Sequence, residues 1–170
     1  KDYLSFLNAI GEISKDEELI LNTKAHEFLK AMEVTSMSKT YKMPLLLAFY
    51  NHGDVKLAID DNDIYKSFKE FYSYASNGSD LLRDKSTRNF KNWGMKEYVS
   101  LARRNPMHFI SRSSPEFFYE DGEMFCLSRE LEKFISNSAF IKHFKDIIDY
   151  RTRKFYRERL EKRLNEVEGV

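Results

Sequence analysis

Along most of this chain the apolar residues recur every three to four positions, the spacing that lays one face of a helix against a core. Leu4, Phe6, Leu7 and Ile10 predict a first helix that stops at Gly11. Ala25, Phe28, Leu29 and Met32, behind the capping pair Asn22-Thr23, predict a second. Residues 34–39 carry three Ser/Thr residues and no period, and read as a linker. Residues 41–51 then predict a helix with Pro44 in its first turn, where the missing N–H costs little. Residues 55–59 alternate with period two, a short strand. Asp60, Asp61 and Asp63 supply caps for a helix over 64–74 whose stripe is Ile64, Phe68, Phe71 and Tyr72. A polar connection over 73–89 follows. The next helix spans 95–105 and stops at Pro106, with Met95, Val99 and Ala102 on one face and Lys96, Ser100, Arg103 and Arg104 on the other. Asp121-Gly122, set between two aromatic-rich runs, predicts a tight β-hairpin. Ser128 starts a further helix containing Leu131 and Phe134, and Ser138 caps a last long helix reaching about Val167.

The order helix, strand, helix, helix, hairpin is that of a winged helix-turn-helix, in which the last helix before the hairpin reads a DNA groove and the hairpin is the wing. The expected fold is therefore mainly α with a small β-hairpin. A winged helix-turn-helix-like domain over 36–128 is preceded by an acidic helical unit over 1–35 and followed by C-terminal helices over 129–170 packed on it.

Composition narrows the class. Hydrophobic residues make up 42% of the chain and aromatic ones 15%, enough apolar surface to exclude a disordered tail. A lone cysteine, Cys126, excludes an internal disulfide and predicts a small buried hydrophobe in a cytoplasmic protein. The longest apolar run, 43–50, is far short of the roughly twenty residues that a membrane helix needs, so no membrane partner is expected. The start Lys1-Asp2-Tyr3-Leu4 lacks an initiator Met and reads as a piece of a longer protein.

The net charge of +1 conceals a gradient. Residues 1–35 hold four basic and seven acidic residues, 83–112 eight and two, and 151–163 seven and two. Within the middle block, Lys85, Arg88, Lys91, Lys96, Arg103, Arg104 and Arg112, together with Ser100 on the same helix face, are candidates for contacts to phosphates or base edges. Trp93 is available to stack on a base, although a core anchor explains it as simply. An ordinary solvated face would account for the block too. In the C-terminal block Glu158 and Glu161 interleave with the basic residues, as in a solvated helix with local ion pairs.

Catalytic signatures are missing from the sequence. The four histidines share no ligand spacing, and His143 with Asp146 offers two ligands where a site needs more. Asp54-Val55-Lys56 has the carboxylate-x-lysine spacing of some metal-dependent nucleases, but Asp60, Asp61 and Asp63 are more simply caps. No phosphate loop, dinucleotide glycine motif or zinc-protease motif occurs. No catalytic residue, metal ligand or cofactor is therefore assigned to this chain.

The run Ser38-Lys39-Thr40-Tyr41-Lys42-Met43-Pro44-Leu45-Leu46-Leu47-Ala48-Phe49-Tyr50-Asn51 resembles the C-terminal region of bacterial DEAD/DEAH-box superfamily II helicase-like proteins. So do Asp63-Ile64-Tyr65-Lys66-Ser67-Phe68, Arg83-Asp84-Lys85-Ser86-Thr87, Phe90-Lys91-Asn92-Trp93 and Asn105-Pro106. The resemblance covers about residues 38–156 and implies a parent chain with an ATP-driven, magnesium-dependent motor. Because the motor motifs are absent here, it implies an accessory module that binds DNA or RNA beside the motor domains of its parent, through the basic helix and the wing. Two alternatives stay open: a protein-interaction or regulatory domain that docks the motor or a nuclease segment, and a small nuclease using Asp54 and Lys56.

Overall fold

Short local signals set most of the helices in the computed structural model, which describes residues 1–169. Helix α1 (Tyr3–Ala9) is capped by Asp2, which accepts the Ser5 N–H, and Gly11 takes the left-handed φ of +74° that ends the turn. Helix α2 (Lys15–Ile20) carries no apolar period, and rests on a reciprocal capping box between Ser14 and Glu17. Helix α3 (Lys24–Val34) buries Ala25, Phe28, Leu29 and Met32, the predicted stripe.

Helix α4 (Lys42–Phe49) is buried on nearly every side, Lys42 included. The Lys42 ammonium is held by Thr35 Oγ1 at 3.0 Å and the Ser36 carbonyl at 2.6 Å, and burial pushes its pKa down. The segment before α4 is thus fastened to it.

The single strand expected over 55–59 is two strands in different sheets. β1 (Tyr50–Asn51) and β2 (Asp54–Val55) form a small hairpin around His52 and Gly53, both at positive φ. Lys56 N–H then donates back to the Phe49 carbonyl, which turns the chain, and β3 (Ala58–Ile59) joins another sheet.

Helix α5 (Asp61–Ser73) starts at a capping box of Asp60 and Asp63. The connection expected over 73–89 contains a helix, α6 (Ala75–Arg83), with Gly78, Asp80 and Leu81 buried. Its sequence has almost no stripe; tertiary contacts hold it. A Cβ on Gly78 would sit 2.9 Å from the Phe90 ring, so the close approach requires glycine.

Pro106 does not stop the next helix. Helix α7 (Met95–Ala102) passes through a π turn (Arg103–Met107) directly into α8 (His108–Ser113). A proline inside an α-helix clashes with the carbonyl four residues back, here that of Ala102; the widened turn relieves the contact.

Strands β4 (Phe118–Asp121) and β5 (Met124–Leu127) form the predicted hairpin. Asp121 pairs with Met124, so the two-residue loop is Gly122-Glu123 rather than Asp121-Gly122, and Gly122 at φ +60° in the first loop position makes it a type II′ turn. The sheet order is β3-β5-β4, antiparallel throughout. Helix α9 (Ser138–Glu168) begins at Asn137, whose side chain accepts the Phe140 N–H, one residue before the cap expected at Ser138.

The chain is mainly helical with two small sheets. One buried cluster runs from Leu4 in α1 to Ile148 in α9 and draws on every segment between. Phe28 of α3 sits inside it, against Phe117 and Phe118 near β4 and Phe140 and Phe144 of α9.

Candidate nucleic-acid interface

Helix α7 and the π turn bring four of the predicted residues together. Lys96, Ser100, Arg103 and Arg104 line a shallow open groove with Asp61, Met95 and Val99. Arg104 Nη1 donates to Ser100 Oγ at 3.3 Å, one turn back along the face. Arg103 reaches across to α5, where its Nη2 donates to Asp61 Oδ1 at 2.6 Å. Both of those side chains stay 40–45% exposed, so the pair is solvent-facing.

The other basic candidates lie outside the groove. Lys85, Arg88 and Lys91 are exposed on the segment between α6 and α7. Asp84 shapes its start by accepting the Ser86 N–H at 2.9 Å and hydroxyl at 2.8 Å; these two bonds hold its carboxyl below the usual value. Thr87 pins the turn by donating to the Leu81 carbonyl at 2.7 Å. Burial pushes up the Tyr41 hydroxyl, with Asp84 and Arg104 acting on it in opposite senses. Arg112 is exposed on α8, beyond the π turn.

Trp93 is part of the packing and not a free stacking platform. Its ring meets Tyr98 edge-on at 5.3 Å, and Tyr98, whose hydroxyl donates to the Phe90 carbonyl, is raised to about 12 by burial.

The hairpin departs from the wing expected to lean on nucleic acid. Its exposed tip carries Glu120, Asp121 and Glu123, three carboxylates and no basic residue. Such a tip repels phosphates.

The C-terminal basic block is less solvated than its pattern implies. Lys154 with Glu158 and Arg157 with Glu161 are the expected i,i+4 pairs, at 3.9 and 4.0 Å. Arg151, however, donates to the Met32 carbonyl at 3.1 Å, and Arg159 to the Ser38 carbonyl at 3.0 Å. Arg159 and Arg163 also flank the buried carboxylate of Asp80 on α6, at 3.8 and 3.5 Å. Beside them Tyr156 bonds to Thr40 at 2.8 Å and donates to the Asn77 carbonyl at 2.8 Å. These residues fasten α9 to the body; no sequence spacing pairs them, because Asp80 lies in the helix that the pattern missed.

The remaining candidates are structural in their contacts. Lys56 Nζ sits 2.7 Å from Asp63 Oδ1, while Asp54 is exposed. Burial raises the Asp63 carboxyl, but hydrogen bonds from Lys56 and the Asp60 N–H hold it down. His26 Nδ1 accepts the Asn22 N–H, so Nε2 carries the proton that faces Asp2 at 2.6 Å. His143 Nε2 is 2.6 Å from Glu17. Cys126 is buried in β5, and burial pushes its thiol up.

Comparison of the chain with protein-family models, curated proteins and solved structures finds no match.

Proposed function

We propose that this chain is a nucleic-acid-binding module of the winged-helix type that acts beside a helicase-family motor. Its supporting topology is α4, then β3, then α5 and α7 with α8, then the β4–β5 hairpin, with β5 central in the sheet. Two departures define the variant: α6 is inserted between α5 and α7 in place of a tight turn, and the wing is acidic. The observation that carries the reading is the exposed cationic face made by Lys96 of α7 and by Arg103 and Arg104 of the π turn that continues it, which we read as the face of a recognition helix. Lys85, Arg88, Lys91 and Arg112 extend the positive field around it. The hairpin stays clear of phosphates, and the motor's ATP and magnesium belong to the parent chain by resemblance alone.

Fluorescence anisotropy with labelled duplex, forked and single-stranded DNA and RNA, at two salt concentrations, tests this. Binding should weaken with salt and be lost in a Lys96→Glu, Arg104→Glu variant, since neither side chain holds another element in place. Absence of binding at low salt overturns the proposal. In that case the acidic hairpin tip favours the second reading, a protein-interaction domain that docks a basic partner surface.

A further inference from the structure

A surface built only to neutralise phosphates gains nothing from a carboxylate in its midst. Yet Asp61 stands in the groove of α7, with Arg103 on its Oδ1 at 2.6 Å and Lys96, Ser100 and Arg104 around it. Asp61 is not needed as the cap of α5, because Asp60 and Asp63 already form that capping box. Each partner of the Asp61–Arg103 pair makes one side-chain hydrogen bond among the described residues, so Asp61 Oδ2 and the other guanidinium N–H groups remain available at a solvent-facing site.

We infer that Asp61 and Arg103 form a base-reading pair that selects a G·C base pair in the major groove of duplex DNA. This rests on the nucleic-acid reading of the same helix. The chemistry follows from what the groove edge offers. A G·C pair presents two adjacent acceptors, guanine N7 and O6, followed by one donor, the cytosine amino group. Arg103 supplies adjacent donors, and Asp61, locked beside it, supplies the acceptor next in line. An A·T pair alternates acceptor, donor, acceptor, which matches the carboxylate at one position but denies the guanidinium its second bond. The ion pair also favours the guanidinium orientation that sets it beside Asp61, so less rotamer freedom is lost when the base is bound. Phosphate attraction is left to Lys96, Arg104 and the loop cations, which carry no such partner among the described residues.

The test is selection from a pool of duplexes with a randomised centre, followed by anisotropy on the winning sequence and on its single-base variants. The natural chain should enrich one G·C pair and lose about tenfold in affinity when that pair becomes A·T. Replacing the guanine by 7-deazaguanine, which lacks the N7 acceptor, should lose affinity in the same sense. Arg103→Gln should abolish the preference and, with one cation fewer on the face, weaken salt-sensitive binding to the unselected pool; Asp61→Ala should abolish the preference while leaving that binding in place. Asp61→Asn, which keeps the size of the side chain, should act as Asp61→Ala does, with an unchanged melting temperature. Binding to the pool without enrichment, or a preference that survives Arg103→Gln, overturns the base-reading pair and leaves the nucleic-acid reading standing. Failure to bind any duplex overturns the base-reading pair, and failure to bind single-stranded DNA and RNA as well overturns both.

Discussion

Replacing Phe28 by alanine removes the ring through which α3 meets both β4 and α9. The side chain is fully buried, with ring centroids 5.4 Å from Phe117, 6.1 Å from Phe118, 5.9 Å from Phe140 and 5.4 Å from Phe144. Deleting a buried phenylalanine costs about 3–5 kcal/mol through lost transfer energy and the cavity left behind. Four aromatic neighbours from distant parts of the chain cannot all collapse into the hole, which puts this site at the upper end of that range. For a chain of this length each kcal/mol lowers the melting temperature by about 2–4 °C, so a fall of roughly 10–20 °C is expected. Scanning calorimetry and urea titration measure it. One transition should persist, with a lower midpoint and an unchanged m-value, because residues 1–35 share their core with the rest of the chain. A melting temperature that moves by less than about 3 °C, or a transition that divides in two, would refute the reasoning: the aromatic cluster would then not be what joins α3 to the remainder.

Three further perturbations probe other parts of the fold. Asp80→Ala should leave Arg159 and Arg163 without their shared carboxylate and destabilise by about 1–2 kcal/mol, less than a wholly buried pair because the arginines reach water; hydrogen exchange should accelerate in α9 beyond Tyr156 and not in α3. Gly78→Ala should destabilise by about 1–3 kcal/mol despite alanine's better helix propensity, since its methyl would meet the Phe90 ring and the Tyr72 carbonyl, and a stabilised variant in urea titration would contradict that packing. Acid should loosen the N-terminal helices. Burial raises the carboxyls of Asp2 and Glu17, but hydrogen bonds from His26 and Ser5 to Asp2, and from Ser14 and His143 to Glu17, outweigh it and hold both below their ordinary values of 3.8 and 4.5. The folded chain therefore binds fewer protons than the unfolded one, and the stability these groups contribute above those values is lost as the pH falls below them. A Glu17→Gln, Asp2→Asn variant should show a flatter acid limb in melting temperature against pH, and an unaltered limb would count against these pairs.

Where the information was local, the sequence determined the outcome by itself. The stripe Ala25, Phe28, Leu29 and Met32 predicts α3, and Ile64, Phe68, Phe71 and Tyr72 predict α5, because a buried face needs apolar residues at the helical period. Gly122 marks the hairpin, since its left-handed backbone suits glycine above other residues. The cationic positions of α7 follow from the same period, being the residues its core-facing stripe leaves over. Tertiary structure alone decided the rest. Helix α6 exists because Gly78 lets it press on Phe90 and Asp80 draws two arginines from α9, contacts made by residues far apart in the chain. The passage through Pro106 depends on a π turn that no local propensity announces. Arg159 and Arg163 look like surface chemistry in the sequence and are packing in the fold, the core-anchor reading of Trp93 is the one its contact with Tyr98 favours, and Arg103 meets Asp61 from 42 residues away. Periodicity states which side of a helix faces inward; which distant charge waits on its outer side is settled by how the helices cross, and that angle is a property of the whole core.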